Sequence, residues 1–197
     1  FDGGPLGGPY SVGDVRIGSP ICEDAWHEDV AETLAETGAE FLLVPNGSPY
    51  YRGKHDTRLS HMVARVVETD LPLIYLNMVG GQDDQIFDGA SFGLNRGGKL
   101  AFQLPTFDAV TRHVDLERGP DGWEIVEGEK AVHADSYAQD YRVMVQGLRD
   151  YMHKTGFKKV LLGMSGGIDS ALVATIAVDA LGAENVRCVM LPSEYTS

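Results

Sequence analysis

Cysteine is scarce: Cys22 and Cys188 are the only two in 197 residues. A disulfide scaffold is thereby excluded, and the composition suits a reducing cytoplasm. Positive charge is also short, with 16 Lys and Arg against 29 Asp and Glu and a formal net charge of −13. General nucleic-acid binding needs a basic face, which this balance does not supply. A nucleotide ligand stays open, because a local group of backbone donors works inside an acidic protein. The longest apolar runs are far too short for a bilayer-spanning helix, so no membrane role is expected. No basic-plus-apolar leader is visible. The six His residues have no metal-ligand spacing, and neither an internal repeat nor a low-complexity tract is present.

What remains is an ordinary globular composition, 43% hydrophobic and 23% charged, long enough for one or two domains. The first residue is Phe1 and the last Ser197, and both ends read as cuts through a longer protein. Residues 1–11 read as a Gly- and Pro-rich loop, and 15–21 as a buried strand running into Cys22. A short helix over 30–37 ends at Gly38. A strand over 40–44 leads to the Asn46-Gly-Ser-Pro49 turn. Leu59, Met62, Val63, Val66 and Val67 follow the three-and-four spacing of one apolar helical face. A strand over 73–79 comes next. Residues 91–95 and 99–104 flank Arg96-Gly-Gly98 as a β-hairpin, and 111–116 reads as a last strand.

From 117 to 134 periodicity fails, and the stretch reads as a linker. Ser136-Tyr-Ala-Gln139 matches a capping box. Tyr137, Tyr141, Val145, Leu148 and Met152 continue it as a helix that Gly156 stops. A strand over 160–164, a helix over 169–181 and a strand over 186–191 then form a βαβ unit with a Gly-rich first turn. Three segments result: a first domain over 1–116, a linker over 117–134 and a second domain over 135–197.

The βαβ turn carries the strongest chemical signal. After the strand through Gly163 and Met164, Ser165, Gly166 and Gly167 turn the chain with little bulk, so backbone N–H groups can converge on an anion. The helix that follows aims its N-terminal N–H groups at the same point. Ser165 and Ser170 add hydroxyls, and Asp169 could hold a Mg²⁺ that bridges phosphate oxygens. No Lys follows the glycines, which excludes a Walker A loop. The Ser165-Gly-Gly-Ile-Asp-Ser170 pattern resembles the PP-loop ATP pyrophosphatases. The resemblance implies ATP binding by Gly163, Met164, Ser165, Gly166, Gly167, Ile168, Asp169 and Ser170. It also implies cleavage between the α- and β-phosphates, with AMP passing to the substrate. GMP, asparagine and argininosuccinate synthetases and tRNA-modifying enzymes share the motif, so it does not choose a substrate.

Cys22 stands where a buried strand is expected to end. Alone it reads first as a small buried hydrophobe. As a thiolate activated by a neighbouring base or cation, it could attack an amide carbonyl and form a thioester that water hydrolyses. Cys22-Glu-Asp-Ala-Trp26 resembles the nucleophile segment of nitrilase-type amidase domains fused to NAD synthetases. Val44-Pro-Asn-Gly-Ser-Pro49 with Gly53-Lys54 resembles the glutamine-binding strand end of those domains. Tyr75-Leu-Asn-Met-Val-Gly-Gly-Gln-Asp83 and Phe87-Asp-Gly-Ala-Ser91 resemble their next strand and its sequel. Val189-Met-Leu-Pro-Ser-Glu-Tyr-Thr-Ser197 resembles the segment after the second ligase strand.

The resemblance implies an α/β protein: part of a nitrilase-like α-β-β-α sandwich, then the start of a doubly wound parallel-sheet PP-loop domain. It implies Cys22 as nucleophile and Ser48 and Lys54 as contacts of glutamine, against the plainer readings of a turn-stabilising Ser and a solvated Lys. The family's general base Glu and oxyanion Lys lie upstream of the Cys. Residues 1–21 contain neither, so glutaminase activity is not expected of these 197 residues alone. The order of the halves resembles glutamine-dependent NAD synthetases. The reaction implied is ATP- and Mg²⁺-dependent amidation of deamido-NAD, with ammonia from glutamine, in a cytoplasmic homo-oligomer. Two alternatives stay open: an amidase fused to a PP-loop ligase for another carboxylic acid, and a nucleotide-binding scaffold without chemistry. Cys188 is expected in the core. Tyr195 and Thr196 read equally as nucleotide neighbours or loop.

Overall fold

The chain is seen in a computed structural model that describes residues 4–190. It divides into two compact units. The first comprises residues 4–79 with Phe87–His133, and the second Gly80–Ile86 with residues 134–190.

The first unit is built on a six-stranded mixed sheet of β1 (Tyr10–Val12), β2 (Val15–Gly18), β3 (Phe41–Asn46), β4 (Leu73–Asn77), β7 (Phe92–Asn95) and β8 (Lys99–Gln103), in that spatial order. β2, β3 and β4 are parallel, whereas β1, β7 and β8 run antiparallel to their neighbours. Helices α1 (Glu28–Glu36) and α2 (Lys54–Thr69) supply the crossovers that parallel strands require. Register explains the core. Leu42 sits opposite Leu73 and Val44 opposite Tyr75, while Leu73 and Tyr75 face Leu94 and Phe92 across the next ladder. These residues share one face, since side chains alternate along a strand. Ala31 and Leu34 of α1 and Met62 and Val66 of α2 complete the same buried cluster. Each large side chain so buried contributes about 1.5–3 kcal/mol.

The other face is covered by Phe102 with Ala101 and Ile125. Gly93 pairs with Phe102, and a Cβ at Gly93 would lie 2.3 Å from Phe102 Cε1 and 3.1 Å from Ile125 Cδ1. Both neighbours are buried. Gly93→Ala is therefore expected to cost about 1–3 kcal/mol by overpacking, read as a fall in melting temperature.

Several readings need correction. The strand before Cys22 stops at Gly18, because Pro20 has no N–H to continue a ladder. On α2, Met62 and Val66 are buried as expected and Leu59 and Val63 pack against the same cluster, but Val67 is 61% exposed, while Lys54, Arg58 and Arg65 are buried too. Residues 111–115 form no strand; β9 starts at Leu116. The stretch read as a linker holds a hairpin of β9 (Leu116–Gly119) and β10 (Gly122–Ile125). Asn95 locks it by exchanging two 2.8 Å hydrogen bonds with the backbone of Ile125. Beyond it, Gln103 N–H donates to Glu129 O and Ala131 N–H to Gln103 O, each at 2.9 Å.

The second unit contains α3 (Ser136–Thr155), β11 (Val160–Met164), α4 (Ile168–Leu181) and β12 (Val186–Met190), with β11 and β12 parallel. The cap of α3 is Asp135, not Ser136: its carboxylate accepts from Tyr137 and Ala138 N–H at 3.0 Å. The hairpin of β5 (Val79–Gln82) and β6 (Gln85–Asp88) reaches this unit from the first. There Gly81 N–H donates to Asp150, and Lys154 Nζ donates to Gly81 O and Gln82 Oε1. Cys188, expected in the core, is exposed, because β11 and β12 form a two-stranded sheet among the described residues. Tyr195 and Thr196 lie outside the described residues.

Candidate functional site

Parallel strands deliver their C-terminal ends, and the loops beyond them, to one edge, where ligands of open α/β sheets bind. In the first unit that edge receives Cys22 after β2, Ser48 after β3 and Asn77 at the end of β4. Cys22 opens a 3₁₀ turn, Cys22–Trp26, in the left-handed region at φ 53°. Few side chains adopt this conformation, which the surroundings must impose. Pro20 and Ala25 are buried on either side, and Ser19 Oγ donates to Leu43 O at 2.8 Å. The thiol is free and partly accessible.

The core face of the sheet continues one step past Val44 and Tyr75 to Asn46 opposite Asn77, both buried. Apolar packing thus gives way to a polar network under the loops. Asn77 Oδ1 accepts the Ser48 N–H at 2.9 Å, and Asn77 Nδ2 donates to Ser48 O at 3.1 Å. Arg58, at the second turn of α2, donates to Ser48 Oγ, Ser48 O and Pro49 O and pairs with Asp88 at 2.8 Å. Tyr75 is fully buried, with its hydroxyl beside Ser48. Burial raises the Tyr75 pKa above its ordinary 10.0, opposed by Arg58 and Ser48, with the Cys22 charge adding to the rise.

Lys54 opens α2 after Gly53, whose φ of 82° favours glycine. Its ammonium lies 4.3 Å from the Trp26 ring centroid and 4.5 Å from that of Tyr51. Trp26 also stacks on His61 at 4.8 Å. The expected trio of Cys22, Ser48 and Lys54 is therefore gathered: Lys54 packs on the turn that Cys22 begins, and Ser48 is held by the same helix. Lys54 is buried rather than solvated, its ammonium resting on aromatic faces. Arg58, Asn77 and Asp88 were missed as site residues. An Arg four residues before Met62, inside an apolar helical stripe, was the signal that could have found them.

His55, next to Lys54, bonds through Nε2 to Gln103 Oε1 at 3.0 Å and meets His133 edge-on at 4.7 Å. Burial first, then the His133 charge, lowers the His55 pKa from its ordinary 6.5, against Gln103. As pH falls through 6.5 the unfolded chain takes up this proton before the folded one. The stabilising contribution is therefore complete at neutral pH and lost below about pH 6.5. Melting temperature should drop between pH 7 and 5, less steeply in His55→Gln; equal slopes would contradict this.

In the second unit β11 ends at Met164, and Ser165, Gly166 and Gly167 lead into α4. No Cβ obstacle surrounds Gly166, but its φ of 81° demands glycine. Ser165 Oγ accepts Gly167 N–H at 3.3 Å and lies 3.2 Å from Ser170 Oγ, which donates to Gly167 O at 2.9 Å. The N-cap, Gly167, makes no side-chain cap, so the first N–H groups of α4 are open to an anion. Gly163 and residues 165–169 are exposed, and Met164 and Ser170 half-buried. Among the described residues no group of three or more His, Cys, Asp or Glu could hold a metal ion. Asp169, the one carboxylate at this turn among the described residues, still fits Mg²⁺, which takes most of its ligands from phosphate and water.

Fold and sites define a mixed α/β chain, a nitrilase-like domain followed by the start of an NAD synthase domain. The carbon-nitrogen hydrolase family model matches residues 3–119 and the NAD synthase family model residues 140–197. The chain belongs to the carbon-nitrogen hydrolase family. Among curated proteins it is 62% identical, over its full length, to the glutamine-dependent NAD(+) synthetase of Rhodobacter capsulatus, and covers 36% of that protein. It is 45% identical to that of Xylella fastidiosa (strain Temecula1) over 95% of this chain and 34% of the relative. It thus spans about a third of the length of these curated relatives. The solved glutamine-dependent NAD+ synthetase of Acinetobacter baumannii, in complex with adenosine diphosphate, superposes with a TM-score of 0.88 at 39% identity. That match covers 96% of this chain and 36% of the other. A carbon-nitrogen hydrolase from Helicobacter pylori G27 shares the fold, with a TM-score of 0.51 at 23% identity over 55% of this chain and 43% of that one.

Proposed function

We propose that this chain forms the junction of a glutamine-dependent NAD synthetase, joining the strand-end thiol of its glutaminase to the phosphate-binding turn of its ligase. The observation that carries the reading is the pairing, on one chain, of Cys22 in a forced left-handed conformation and an uncapped Gly-rich βα turn. The first domain ends near residue 116 or, with its hairpin, near 133, and the ligase begins near 135.

Cys22 Sγ attacks the glutamine carboxamide carbon, the C–N bond breaks, ammonia leaves and water hydrolyses the thioester. Ser48 and Lys54 hold the glutamine. The Glu base and oxyanion Lys are proposed on the part of the enzyme before Phe1. At the second site, ATP lies on residues 163–170, with pyrophosphate on the turn; the ADP of the Acinetobacter baumannii structure supports an adenine nucleotide. The carboxylate of deamido-NAD takes AMP and releases pyrophosphate. Ammonia then attacks the mixed anhydride, giving NAD and AMP. Mg²⁺, when bound, neutralises phosphate charge. Asp169 would hold it, while the N–H groups beginning α4 orient the phosphates. Two free cysteines fit a reducing cytoplasm, and we place the enzyme there as a homo-oligomer.

The test is NAD formation from deamido-NAD and ATP by the full-length enzyme, with glutamine or ammonium as nitrogen source. Formation from both supports the reading. Absence of both, with ATP consumed on another acid, would replace it by a different amidoligase.

A further inference from the structure

Arg58 is a cation whose side chain is 0% exposed, and the reaction as described gives it no part. An arginine only donates hydrogen bonds. Its Nε donates to Ser48 Oγ at 3.1 Å, its Nη2 to Ser48 O at 2.7 Å and to Pro49 O at 3.1 Å. Its Nη1 faces the Asp88 carboxylate at 2.8 and 3.0 Å. Asn77 holds the Ser48 backbone from the other side. The amide and carbonyl of Ser48 are thus both committed, and Oγ is fixed as an acceptor toward Arg58. Its single hydrogen must then point away from the guanidinium.

We infer that Arg58 is a positioning residue of the glutaminase: through Nε it sets Ser48 as a hydrogen-bond donor, directed at an acceptor oxygen of bound glutamine. Asp88 is the counter-charge that keeps the guanidinium in place. A Ser free to rotate would offer a lone pair as readily as a proton, so fixing its polarity favours a carboxylate or carboxamide oxygen over an ammonium or N–H at that point. The inference rests on the proposed glutamine site.

The test uses the full-length enzyme. Breaking a buried pair on one side alone is strongly destabilising, whereas replacing both partners by apolar residues of similar volume is often tolerated. Arg58→Met with Asp88→Leu, and separately Arg58→Lys, are compared with wild type for glutamine hydrolysis, ammonia-driven synthesis and melting temperature. The Lys keeps a charge toward Asp88, but one ammonium cannot serve Ser48 Oγ, Ser48 O and Pro49 O together. The KM for glutamine is expected to rise about tenfold or more in either folded variant, with kcat within a few-fold and ammonia-driven synthesis unchanged. A purely structural Arg58 would lower the melting temperature and leave KM in place. An unchanged KM in a folded variant overturns the inference, as does parallel loss of ammonia-driven synthesis. Should the double variant not fold, Arg58→Lys decides. No glutamine hydrolysis by wild type would instead remove the underlying glutaminase reading.

Discussion

Cys22→Ala in the full-length enzyme is expected to abolish glutamine-driven NAD formation and leave ammonia-driven formation intact. The side chain is small and partly accessible, so its truncation removes a nucleophile rather than a core contact. Removing the nucleophile from a catalytic unit costs on the order of 10⁶-fold in turnover, because no neighbouring group can form the acyl intermediate. The left-handed backbone is retained in the variant, and Ala adopts it no more readily than Cys, so stability should barely change. Equal loss of both nitrogen sources would take Cys22 out of the proposed role. Measured side by side, the two sources separate chemistry at the sheet edge from chemistry at the βα turn.

Asp169→Ala is expected to produce the opposite pattern: glutamine hydrolysis, assayed on its own, continues while ATP-dependent turnover falls. Asp169 is exposed in the first turn of α4, so the substitution removes a charge without opening a cavity. A metal's charge neutralisation is worth several kcal/mol in phosphoryl chemistry. Losing about 3 kcal/mol of it corresponds to roughly 100-fold in rate. The apparent Mg²⁺ requirement should rise with it. Turnover and Mg²⁺ dependence like those of wild type would leave Asp169 as no more than a favourable charge at a helix N-terminus.

Local patterns were readable where chain geometry alone decides them. The hairpin around Arg96-Gly-Gly98, the β11–α4–β12 unit and the stop at Gly156 follow from turn chemistry and periodicity. The residues proposed for the sites were legible as motifs. Their support was not, because it is assembled from distant parts of the chain. Arg58 and Asp88 are separated by 30 positions and meet only in the folded chain, where the second turn of α2 reaches the end of β6. Asn77 mimics a neighbouring strand for Ser48 across a similar distance. Residues 117–134 lack period because β9 and β10 are each four residues long, too short for alternation to register. Ile125 alone carries much of their burial. Cys188 misled because an apolar strand reads as buried whether or not a covering layer lies within the described residues.

The β5–β6 hairpin has a consequence for dissecting the molecule. The backbone passes between the two compact units near residue 80, again near 86 and a third time near 134, so no single cut separates them. Excising the first unit before Ala134 would strip the Gly81 amide of Asp150 and the Gly81 carbonyl of Lys154. The excised piece would carry an orphaned β-turn whose two stems lead straight back to Asn77 and Asp88. A clean separation requires replacing residues 80–86 with a short bridging turn, not merely choosing where to end the chain.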